Sequence, residues 1–165
     1  MATSSEQIRA YTGPAILSYG FRPFFLFGAV WAALTVALWL PILSGHIVLP
    51  SAFGPIAWHS HELIFGYLPA IMAGFLLTAV PNWTGRLPIT GAPLAALFGI
   101  WVVGRCAVFV SAWIGPVLAA GLDLLFLAAL IGVIGREIIA GKNTRNLKIL
   151  LAVGLLFAGN VVFHV

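Results

Sequence analysis

Five long apolar stretches, each separated from the next by proline, glycine or a cluster of charges, constrain the fold of this chain more than anything else in it. A helix needs about 20 apolar residues to cross the roughly 30 Å hydrocarbon core of a bilayer. The stretches approach that length at about 23–43, 56–80, 92–113, 116–134 and 147–165. Breaks fall at Pro41 to Pro55, Pro81 to Pro93, Gly115-Pro116 and Gly135 to Asn146, where residues that interrupt helices gather. Only 7% of the 165 residues are charged, against roughly 25% in soluble domains. Such a chain cannot coat itself for water. The expected fold is an all-α polytopic membrane bundle of about five transmembrane helices, a single unit over 1–165. The first apolar stretch follows a polar leader without a small-residue cleavage site, so it is read as a retained span and not a removable signal peptide.

The basic residues orient the bundle. Arg9 and Arg22 precede the first span, Arg86 follows the second, and Arg136, Lys142, Arg145 and Lys148 precede the fifth. The segments after the first and third spans hold no Lys or Arg. Seven of the eight basic residues thus fall on one side. The positive-inside rule makes that side, and the N-terminus with it, cytoplasmic. The net charge of +4 therefore reads as a topology signal and not as a nucleic-acid surface. Within the bundle, lipid supplies no hydrophobic drive between helices, so small residues should line the contacts. Ala29/Ala33/Ala37, Ala70/Gly74, Ala128/Gly132 and Gly154/Ala158 recur at fourfold spacing and are expected to be packing seams. The single Cys106 excludes an internal disulfide and a Cys-rich metal site, and is expected to be a small core residue.

Ionisable side chains inside a bilayer are expensive and mark function by default. With a rise of about 1.5 Å per residue, His59, His61 and Glu62 lie roughly 5–9 Å below the outer face. His164 reaches the same face from the fifth span, and His46 lies in the first outer loop. Arg105 and Asp123 sit at matched depth on two spans joined by the short Gly115-Pro116 turn. An ion pair between them is the economical arrangement, with a clamp on a haem propionate or a proton path as the functional alternative.

Trp58-His59-Ser60-His61-Glu62 carries the densest chemistry. Imidazole suits haem iron, copper and zinc, and a carboxylate can ligate or hold a histidine in one tautomer. On a helix His59 and Glu62 share a face, whereas His59 and His61 point about 200° apart. One histidine can bind a metal while the other faces a neighbouring helix or a second centre, and His59 with Glu62, joined by His164, is one three-residue constellation that fits. Interfacial histidines beside a hydrogen-bonded Glu62 are the plain alternative. Arg22 reads as an anchor at the inner boundary, and Trp31, Trp39, Trp58, Trp101 and Trp113 read as lipid or interface packing. No phosphate loop or Ser/His/Asp triad is present, and no catalytic residue is assigned.

Three segments carry a resemblance. Gly20-Phe21-Arg22-Pro23-Phe24-Phe25, then Trp58-His59-Ser60-His61-Glu62 with Phe65-Gly66, then Gly74-Phe75-Leu76-Leu77-Thr78-Ala79-Val80-Pro81-Asn82-Trp83-Thr84-Gly85 resemble the NnrS family, as do Gly104-Arg105 and Phe163-His164. The resemblance covers almost the whole chain. It implies a bacterial inner-membrane protein that contains haem and copper and is associated with denitrification, nitric oxide and resistance to nitrosative stress. It implies His59, His61 and His164 as metal ligands, Glu62 and Arg105 as supporting groups, and a chain corresponding to the N-terminal part of a longer protein. Two other readings use the same residues. One is a transporter or proton-conducting subunit in which Glu62, Asp123 and the histidines form a relay. The other is a metal-free scaffold for respiratory-type subunits.

Overall fold

A computed structural model of the chain describes residue 6 and residues 10–165. Arg9, one of the orienting basic residues, lies outside the described residues. After a 3-10 turn at Ala15–Leu17 come five helices: α1 Phe21–Leu43, α2 Pro55–Thr84, α3 Ala92–Phe109, α4 Pro116–Ala140 and α5 Leu147–Phe163. A four-residue helical turn, Ser111–Ile114, links α3 to α4, and a 3-10 turn, Thr144–Asn146, precedes α5. No strand occurs among the described residues. The molecule is an all-α membrane helical bundle. Four helices are long and apolar enough to cross a membrane, and α5, at 17 residues, is the short one.

Helix ends follow from local chemistry. Pro55, Pro93 and Pro116 occupy first turns, where a missing N–H costs nothing and the fixed φ is already helical. Gly85 closes α2 with φ +68°, the left-handed conformation that a Cβ disfavours. The observed ends differ from the hydropathy breaks at three places. α2 continues through Pro81 to Thr84, α4 continues to Ala140, and the third apolar stretch breaks at Val110. In α2 and α4 polar and charged residues carry the helix past the apolar stretch, so hydropathy alone ends these two too early.

Contacts along the chain alternate up and down. Leu17 O accepts from Gly91 N, and Trp83 O accepts from the Asn143 side chain, so the ends near Phe21, Thr84, Ala92 and Ala140 meet. Arg86 pairs with Glu137 at this same end, which is the basic one. At the opposite end, Ser51 Oγ donates to Val108 O at 2.8 Å, and Phe53 packs on Phe163 and His164.

The bundle is apolar on its outside as well as in its core. Large apolar side chains such as Leu34, Leu118, Leu125, Leu151 and Leu155 face outward. Inward, Phe24 is fully buried with its ring 5.6–6.5 Å from those of Phe98, Trp101 and Phe126. Edge and tilted aromatic contacts of this kind are worth about 0.5–1.5 kcal/mol each. Only one expected small-residue seam is used. Ala70 and Gly74 are buried, and a Cβ on Gly74 would come within 2.6 Å of the Phe25 ring. Ala29, Ala33, Ala37, Ala128, Gly132 and Ala158 face outward and Gly154 is half-buried. Fourfold spacing identifies a helix face but not its direction, and α1 turns its Phe24, Gly28 and Thr35 face inward instead. Cys106 is likewise exposed, not a core residue, because its neighbour Arg105 takes the inward direction on α3.

Candidate functional site

Near the end opposite the basic one, all five helices send a polar side chain to one point. α2 delivers His61 and Glu62 through an unusual local geometry: the helix is α over Pro55–His61, widens to a π-helix over Glu62–Tyr67, and returns to α at Leu68. The sequence explains the widening. Pro69 has no N–H for the carbonyl of Phe65 four residues earlier, so the regular ladder cannot run through this turn. In the same turn the Gly66 carbonyl accepts from Trp101 Nε1 at 2.9 Å, tying the widened segment to α3.

Glu62 is fully buried and every contact it makes is a specific one. Its Oε2 accepts from Trp31 Nε1 on α1 at 2.7 Å and from Arg105 Nη1 on α3 at 2.9 Å. Its Oε1 lies 3.2 Å from His61 Nδ1. Arg105, only 2% exposed, uses its other terminal nitrogen to donate to Asp123 Oδ1 on α4. The guanidinium thus forks between two carboxylates from different helices, the planar two-handed recognition that arginine offers and lysine does not. Gly66 makes the fork possible: a Cβ there would lie 2.4 Å from Arg105 Nη1 and 2.8 Å from Glu62 Oε2. Gly104 does the same for the helix pair, with Asp123 Cα 3.2 Å from where its Cβ would be.

Asp123 Oδ2 faces the remaining groups. It accepts from Asn160 Nδ2 at 2.7 Å and lies 3.0 Å from His164 Nε2 and 3.3 Å from His61 Nε2. Asn160 Oδ1 lies 3.0 Å from the same His61 nitrogen. His61, Asp123 and His164 each offer one ligand atom, and these atoms lie within 4.8 Å of one another. Two imidazoles and a carboxylate suit a single borderline cation such as copper, zinc or iron. Glu62 on the far nitrogen of His61 is the outer carboxylate that commonly fixes the orientation of a metal-bound histidine.

A haem does not fit between these histidines. Their ring centroids are 5.0 Å apart at 67°, and the Asp123 and Asn160 side chains already reach His61 Nε2 from that direction, leaving no flat slot for a macrocycle.

The structure brings together His61, Glu62, His164 and Arg105 from the expected set, and forms the expected Arg105–Asp123 pair. It does not bring His59 to them. His59 stacks on Trp39 of α1, centroids 4.3 Å apart and nearly parallel, with its Nδ1 buried and without a hydrogen-bond partner. The 200° separation of the two histidines holds, but His61 takes the inward direction, so the constellation of His59, Glu62 and His164 becomes His61, Asp123 and His164. His46 stays exposed, its Nδ1 2.7 Å from Ser44 Oγ. Asn160 and Trp31 are members of the network that the sequence reading passed over. Asn160 had a signal, being a lone amide in an apolar span one helical turn before His164. Trp58 and Trp101 are interior residues, not lipid-facing ones, and half-buried Trp31 turns its Nε1 inward to Glu62.

A protein-family model described as NnrS protein matches residues 15–165. No curated protein and no solved structure matches the chain.

Proposed function

The chain belongs to the NnrS family, and on that footing we propose that it is a metal-binding inner-membrane protein of nitric oxide metabolism or nitrosative-stress resistance, with one copper ion at His61, Asp123 and His164. The observation that carries the proposal is the convergence of those three ligand atoms within 4.8 Å in a buried site to which all five helices contribute. Ionisable groups so placed in a bilayer are retained for function, and the haem, copper and nitric oxide that the family resemblance implies support this one. The basic end is assigned to the cytoplasm, so the site lies toward the far side of a bacterial inner membrane.

A copper ion held here would supply a one-electron redox couple and a Lewis-acid position. The chain's own residues do the rest. Glu62 orients His61 through Nδ1, leaving Nε2 directed at the centre. Arg105 holds both carboxylates in place and balances their charge. Asn160 fixes the Asp123 oxygen that faces the two imidazoles. The surrounding helices keep bulk water away, which controls what can reach the centre. Haem, the other cofactor the family implies, has no seat at this cluster, and no step is assigned to it.

Elemental analysis of the purified protein tests the assignment. Wild type and His59→Ala should retain about one copper per chain, whereas His61→Ala, His164→Ala and Asp123→Asn should each lower copper affinity by at least 10–100-fold, the range seen even for outer partners of a metal ligand. Wild-type protein from copper-replete cells with no bound copper would overturn the proposal. So would His61→Ala protein that keeps its metal. If the same groups form a proton relay instead, pH-driven flux would appear in proteoliposomes of metal-free protein.

A further inference from the structure

Beside the buried cluster, at the end of the bundle opposite the basic one, lies a cavity of about 280 Å³. Ala52, Phe53, Val108 and Ala119 give it apolar walls, and Ser111 and His164 are its polar side chains. Ser111 has nothing to offer an occupant. Its Oγ donates to Val108 O at 2.8 Å, accepts from Ala52 N at 2.8 Å and sits 3.0 Å from Ser51 Oγ. His164 is different, since its Nε2 belongs to the cluster. Phe53 bridges the two spaces: its ring stacks on His61 at 5.3 Å and lies 5.4 Å from the His164 ring.

We propose that this cavity is a chamber for a small neutral ligand, delivered past Phe53 and His164 to the His61–Asp123–His164 group. The chemistry of the walls chooses the class of occupant. Apolar cavities of about 150 Å³ take up xenon or benzene, so this larger one admits neutral molecules up to at least that size. Charged species are disfavoured because the walls replace none of their hydration. An anion would find both terminal nitrogens of Arg105 already engaged by Glu62 and Asp123. The chamber itself rests on the cavity alone, while delivery to the cluster rests on the copper reading above.

Xenon and nitric oxide separate the two. Full-length protein in lipid nanodiscs would be examined for xenon binding by 129Xe NMR, before and after copper loading, together with Ala52→Trp and Ala119→Phe. Ala52 is exposed at the rim, so its replacement leaves the buried packing intact even if Ala119→Phe fails to fold. Wild type should bind xenon with or without copper. The Ala52→Trp protein should bind it at least tenfold more weakly, keep its full copper content, and associate with nitric oxide at least tenfold more slowly. Absence of xenon from the wild-type protein would overturn the chamber. A nitric oxide association rate within twofold of wild type in a variant that has lost xenon would overturn delivery through it. Xenon binding in a protein that takes up no copper would sustain the chamber and sink the copper reading alone.

Discussion

Replacing Arg105 by Met tests whether the charges at the centre of the bundle act as one unit. The guanidinium is 2% exposed and divides its two terminal nitrogens between Glu62 and Asp123, both of them buried. Removing one partner of a buried ion pair costs about 3–5 kcal/mol, because the other charge is left without compensation. Here two carboxylates lose their partner at once, so the expected loss is at the top of that range, about 5 kcal/mol. For a chain of this length each kcal/mol moves the melting temperature by about 2–4 °C, so the shift should be roughly 10–20 °C. Thermal unfolding in detergent followed by tryptophan fluorescence would report it, with unfolding in mixed SDS micelles as a second measure. Arg105→Lys should recover about half, since one ammonium cannot reproduce a fork that spans two helices. Arg105→Met combined with Glu62→Gln and Asp123→Asn should be more stable than Arg105→Met alone, because neutral amides need no counter-charge. The reasoning fails if Arg105→Met stays within about 1 kcal/mol of wild type, or if the triple variant is no better than the single one.

Other consequences follow from the same geometry. Gly66→Ala should destabilise the protein even though alanine is the better helix former by about 1 kcal/mol, because the added methyl meets Arg105 and Glu62; a raised melting temperature would contradict the close approach. Trp31→Phe keeps the ring but removes the donor 2.7 Å from Glu62, so it should cost roughly 1.5–3 kcal/mol, the worth of a hydrogen bond to a charged group, in the same unfolding assay. Asn160→Leu removes the donor that holds the Asp123 oxygen in place. It should lower copper affinity about tenfold or more, measured by competition with a chelator, while His59→Ala, whose ring lies against Trp39, leaves that affinity within about threefold.

What was legible in the sequence and what was not divides along one physical line. Span positions and the segregation of basic residues depend on how each segment partitions between water and lipid, a property carried by the segment itself. The pairing of Arg105 with Asp123 was readable for a related reason: a short turn fixes the two helices as neighbours, and matched depth then leaves the charges little choice. The choice between His59 and His61 is of another kind. Both lie at the same depth, and their 200° separation says that one faces inward without saying which. Rotation of a membrane helix about its own axis is set by packing, because the lipid around it is as apolar as the neighbouring helices. The exposed Ala29, Ala33 and Ala37 face and the outward Cys106 escaped prediction for that same reason. In α2 the rotation is set by a cause that a helical wheel does not contain. Pro69 breaks the hydrogen-bond ladder, the helix widens at Glu62, and the extra width together with the absent side chain of Gly66 admits the Arg105 fork. The π segment and the ion pair are therefore one feature. If Pro69→Ala restored a regular α-helix there, Glu62 would turn away from Arg105, and the loss in stability should approach that of removing the arginine itself.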